Sequence, residues 1–95
     1  MSLTGLTAEK FVGRVRETFV LSTANATLDL VLSEVEDLGP GPHRRAFSLF
    51  FLGPARPILP QAIYRLDNPA TGPLEMFLVP LGLEKGLFRY QAVFN

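Results

Sequence analysis

Few residues in this chain are equipped for chemistry. His43, in Pro42-His43-Arg44-Arg45, is the only histidine, and cysteine is absent. Thiol nucleophiles, disulfides and thiolate metal sites are therefore excluded. A catalytic imidazole needs a nucleophile or a metal beside it, and no second histidine stands at ligand spacing. The adjacent Arg44 and Arg45 also disfavour the imidazolium. His43 reads as an exposed loop residue. Glu34, Glu36 and Asp37 form an acidic cluster. Paired carboxylates can act as acid and base or hold a hard cation such as Ca²⁺. Here Glu34 and Glu36 share one strand face and no cation-loop pattern accompanies them, so they read as solvated strand-end charges. Asp67 and Asn68 fit Asx-turn chemistry rather than metal ligation.

Arg14 and Arg16, with His43, Arg44 and Arg45, would make a phosphate-binding patch if they converged. Nine basic residues cancel nine acidic ones, however, leaving a net charge of zero, and Glu17, Glu34 and Glu36 lie close to them in sequence. No glycine-rich phosphate loop and no G-x-S-x-G elbow is present. Ser33 and Ser48 fall inside strands, poor places for a nucleophile. The chain thus points to a protein that is not an enzyme and needs no cofactor or metal. Its partners are expected to be neither nucleic acid nor membrane.

The elements that carry these residues are mostly strands. A length of 95 residues allows one small domain and one modest core. The segment from Thr7 predicts a helix of about two turns, with Thr7 as N-cap, Leu6, Phe11 and Val15 on one face, and Gly13 limiting its length. Six strands then follow at residues 18–23, 27–36, 45–52, 61–66, 74–81 and 87–94. Leu28, Leu30 and Leu32 face one way, and Val35 falls out of phase with them, which places a β-bulge near Ser33. Pro80 lacks a ladder donor and must sit at an edge, a bulge or a strand end. No helical pattern separates the strands, so parallel βαβ units are excluded. The expected fold is all-β: a six-stranded antiparallel meander closing into a small barrel or roll, with the short helix plugging one open end.

Two strands carry apolar residues on both faces. Phe50 and Leu52 oppose Phe47, Leu49 and Phe51; Phe77 and Val79 oppose Leu74, Met76 and Leu78. An antiparallel sheet in water usually keeps one wet face. Either the N-terminal helix and the loop prolines cover the second face, or another subunit does. The reading favours the subunit, because one short helix is too small for two strands. Phe50, Leu52, Phe77 and Val79 are the candidate interface.

The pieces Leu6-Thr7-Ala8-Glu9-Lys10-Phe11, Phe47-Ser48-Leu49 with Gly53-Pro54, Leu59-Pro60-Gln61 with Tyr64, Leu74-Glu75-Met76-Phe77-Leu78-Val79-Pro80, and Tyr90-Gln91-Ala92-Val93-Phe94-Asn95 resemble a bacterial family of short proteins known only as a domain of unknown function. Its members neighbour genes for phage-tail-collar or tail-fibre-like proteins. The resemblance implies no activity and supplies no catalytic residues. It implies a structural or assembly role.

The expected function is self-association, as a homo-oligomer or a subunit of a phage-tail-like or surface assembly, with a tail-fibre-like protein as a further partner. The alternative is a β-barrel binding a small apolar ligand among Phe47, Phe51, Tyr64, Phe88 and Tyr90, although six strands leave little room inside. Neither a Sec-type signal nor an apolar run long enough to span a bilayer is seen, so the expected location is the cytoplasm by default, or a phage-like or extracellular assembly.

Overall fold

The computed structural model describes residues 7–42 and 45–95. The elements are α1 (Glu9–Val12), β1 (Thr18–Ser22), β2 (Thr27–Pro40), β3 (Arg45–Pro54), β4 (Ala62–Asn68), β5 (Gly72–Glu84) and β6 (Leu87–Phe94). All six strands are antiparallel and belong to one sheet, in the order β1-β2-β3-β6-β5-β4, with β4 returning to pair with β1. The hydrogen bonds thus run in a ring.

This order corrects one part of the sequence reading. An unbroken meander would pair β3 with β4, but β3 pairs with β6. The reason lies in the connections. Tight hairpins join β1 to β2, β4 to β5 and β5 to β6; the last is closed by Lys85 and Gly86, both at positive φ, as a two-residue hairpin of the primed type requires. Residues 55–61 between β3 and β4 are longer than a hairpin loop and carry Pro57 and Pro60. They cross one end of the ring to the opposite side instead. Leu59 is buried in that crossing, and its N–H donates to Tyr90 Oη at 2.9 Å.

The other end is closed by Phe11 of α1. Its fully buried ring packs on Phe19, Phe47 and Phe94. The helix is shorter than the sequence predicts, and Ala8 rather than Thr7 is its N-cap, without a side-chain cap bond. The chain must leave the helix early to enter β1: it turns through Arg16 at φ 78°, whose N–H donates to Leu32 O at 2.7 Å, while Leu32 N–H donates to Glu17 O at 3.1 Å. Leu6, His43 and Arg44 lie outside the described residues.

Between these ends the inward positions fill the ring. Leu30, Leu32, Leu49, Phe51, Leu66, Met76, Leu78 and Tyr90 are all buried. The bulge expected at Ser33 is present: the β2–β3 register shifts between Leu32 and Glu34, and Ser33 Oγ donates to Phe50 O at 3.1 Å. That shift turns Val35 inward, where it packs against the core. The β2–β3 register shifts again between Asp37 and Gly39, and Pro80 stands at a further irregularity, between Pro80 and Gly82. Gly53 lets the Leu30 side chain approach the backbone, since a Cβ there would lie 2.5 Å from Leu30 Cδ2.

Candidate interaction surface

The outward side of the ring separates the four candidate interface residues. Phe50 on β3 is only 7% exposed. The Arg89 guanidinium lies 4.2 Å above its ring centroid, a cation–π contact that shields the ring. Gln91, directly across from Phe50, donates from Nε2 to Ser48 Oγ at 3.1 Å. This part of the second face is therefore covered from within the chain. Leu52 is half-buried beside Val31, its partner on β2.

Phe77 differs. It is 48% exposed, and its cross-strand partner Ile63 on β4 is 66% exposed. Directly opposed side chains on one face are in contact range, so the two form one apolar block. Val79, half-buried and paired with Gln91, extends it along β5, and exposed Val93 lies on β6 two residues from Gln91, towards Phe77. Phe50 and Phe77 are thus not one patch. β6, with Gln91 paired to both Phe50 and Val79, runs between them.

The next outward step along β4 and β5 is charged. Arg65 pairs across the ladder with Glu75. Arg65 also meets Asp67 on its own strand, Nε to Oδ2 at 3.0 Å. That hydrogen bond, with the negative charges of Asp67 and Glu75, holds the guanidinium above its usual pKa. Among the described residues Glu75 makes no ion pair within 4 Å.

Among the described residues the groups singled out for chemistry are dispersed. Asp37 is bound by Arg45, Nε to Oδ2 at 2.7 Å, and by the Gly39 N–H at 2.8 Å. The Gly39 bond first, then Arg45, hold its carboxyl below the ordinary value. Glu34 faces Arg89 at 3.5 Å. Arg14 is tied to Glu17 at 3.0 Å. Among the described residues no cluster of three metal-ligating side chains occurs, and no helix is long and apolar enough to cross a membrane.

Asn68 is the polar residue whose reach the sequence understated. It is buried, and its Oδ1 accepts from Ala70 N–H at 2.8 Å, which is the expected Asx turn. Its Nδ2 also donates to Glu17 Oε1 and Thr18 O, both at 3.1 Å, pinning β1 to β4. No local signal announces that second role, because the partners lie fifty residues away.

A family model described as a domain of unknown function, DUF6916, matches residues 6–94. The chain belongs to this family. The match takes in α1 and all six strands, so the DUF6916 domain is the ring itself. No curated protein and no solved structure matches the chain. The family's description assigns no function, so what this DUF6916 chain does must be argued from its own surface.

Proposed function

We propose that the protein is a non-enzymatic structural subunit that associates with copies of itself through the outward apolar face of β4 and β5. The observation that carries this reading is the Ile63–Phe77 pair, two large apolar side chains opposite one another and largely open to solvent. Contiguous exposed apolar surface on a small domain marks an interaction site.

Faces are favoured over edges. β2 beyond Leu32 carries a bulge, Glu34, Glu36, Asp37 and Pro40, and β5 beyond Val79 carries Pro80 and an irregular register. Charge, proline and bulges are how strands resist edge-to-edge pairing. The balanced net charge also permits close association. With the neighbourhood that the family resemblance implies, the assembly is phage-tail-like or a surface structure, and a tail-fibre-like protein is a further partner. The subunit would reside in the cytoplasm until it is incorporated. Neither nucleic acid nor membrane belongs to this reading.

The test is the native mass by light scattering over a tenfold concentration range, followed by electron microscopy. A mass above 10.5 kDa that is fixed or grows with concentration supports the reading. A single-chain mass throughout overturns it.

A second reading, a small apolar ligand, has one observation in its favour. An open groove of about 670 Å³ lies on the outer side of the ring, floored by Val31, Leu52 and Leu87. The interior site among the aromatic rings has less support, since Phe47, Phe51 and Tyr90 already pack there. A melting temperature that rises with the concentration of an apolar ligand, and no longer does so in Leu87→Asp, would support the groove.

A further inference from the structure

The outward face of β4 and β5 is arranged as a two-by-two block. Ile63 stands across from Phe77, and one step along the ladder Arg65 stands across from Glu75. All four are exposed. An isologous contact requires a patch that complements itself, and this block meets that requirement in one orientation.

Consider a two-fold axis that runs along the strands, midway between β4 and β5, in the plane where two copies meet. It lays β4 of one copy over β5 of the other. Ile63 then meets the second copy's Phe77, and Arg65 meets the second copy's Glu75. Every apolar group meets an apolar group, and every charge meets its opposite. A two-fold axis running across the strands through Ile63 and Phe77 fails this test. It sets Arg65 against Gln61 and Glu75 against Val79, leaving both charges unanswered. Glu75, which has no ion pair within its own chain among the described residues, gains one only in the first arrangement. Arg65 keeps Asp67 and can still serve Glu75, because a guanidinium carries five N–H donors.

We infer that the protein pairs with a second copy of itself face to face through β4 and β5, about a two-fold axis parallel to the strands, with Ile63 on Phe77 and Arg65 on Glu75. This inference rests on the self-association proposed above and names its geometry. A patch two strands wide is smaller than the roughly 800 Å² per partner of a standard interface. The pair therefore dissociates on dilution, and because a two-fold contact closes on itself, any larger assembly needs a second contact as well.

The test uses charge reversal and mixing. In Arg65→Glu the block carries two negative charges, and in Glu75→Arg two positive ones. Each variant alone then presents like charges to its copy, and self-association weakens at least about tenfold. Mixing the two restores it, since each acidic position now faces a basic one. Sedimentation velocity reads the three samples, and far-UV circular dichroism verifies that each variant is folded. Recovery on mixing supports the two-fold contact and is not produced by charges acting only within one chain. If wild-type protein associates while both variants associate equally well, or mixing recovers nothing, this geometry is overturned and self-association stands. If wild-type protein stays a single chain at every concentration, both readings fall.

Discussion

Phe50 and Phe77 are both outward phenylalanines on strands that are apolar on both faces, yet they live in different worlds. Phe50 is buried under its own chain, with Arg89 stacked on the ring. Phe77 stands half open beside an even more open Ile63. The difference lies in the neighbours. The strand next to Phe50 carries Arg89 and Gln91, long side chains that can lie down over a ring. β4 sets Ile63 directly across from Phe77, too short to shield it, and Arg65, diagonal to Phe77 as Arg89 is to Phe50, is held by Asp67 instead. Whether an outward aromatic is available to a partner depends on where the long side chains one strand away are held.

The sharpest way to break this contrast is truncation. Phe50→Ala should cost about 3 kcal/mol, the order for removing a buried ring, while Phe77→Ala should cost less than about 1 kcal/mol, because half of its surface is already wet. Urea denaturation of the two variants at low protein concentration would measure both. Equal losses would dissolve the distinction.

Removing the cover comes next. Arg89→Ala should cost about 1–2 kcal/mol, mostly through the lost contact with Phe50. Its pairings with Glu34 at 3.5 Å and Glu84 at 3.7 Å are long and exposed, and contribute little. Arg89→Lys should fall between the two, which thermal melts would resolve. The newly opened Phe50 should also increase binding of an apolar dye.

A smaller effect on stability, with a large one on assembly, is expected from Phe77→Asp. Its melting temperature at low concentration should stay within a few degrees of wild type, since an exposed site tolerates charge. Its mass at high concentration should fall to that of one chain. Phe50→Asp, by contrast, should lose its β circular dichroism, because it buries a carboxylate under the same conditions.

The faintest response belongs to the rim. The Asp37 carboxyl is held below its ordinary value by the Gly39 N–H and Arg45. A depressed folded value means that its contribution is present above the unfolded carboxylate pKa of about 3.9 and is lost as pH falls through the folded one. Asp37→Asn should therefore be slightly less stable than wild type at neutral pH. The gap should close as acid protonates Asp37, which urea midpoints against pH would follow.

Much of this architecture was legible before any coordinates. Strand period, the phase slip at Ser33 and the missing donor at Pro80 are local features, and each appears where the sequence puts it. The pairing of β3 with β6 was not legible, because it depends on residues 55–61 crossing the ring rather than turning back. The candidate surface was half legible. Alternation identifies Phe50 and Phe77 as outward, but it cannot say that Arg89 lies over one of them. That fact belongs to register, which sets Leu52 across from Arg89 and Phe50 across from Gln91. The length of the helix was misjudged for a similar reason, since the hydrogen bonds of Arg16 and Glu17 to Leu32 end it sooner than propensity would.

The crossing after β3 also divides the chain into two three-stranded halves, each built from neighbours in sequence. Two seams join them. The β3–β6 seam runs from Phe47 to Pro54, whereas the β1–β4 seam spans only Val20 to Ser22 and is pinned beside it by Asn68. The ring should therefore come undone like a clasp with one weak hook. Amide protons along β1 should exchange with solvent through this partial opening, well before those of β3 are released by global unfolding.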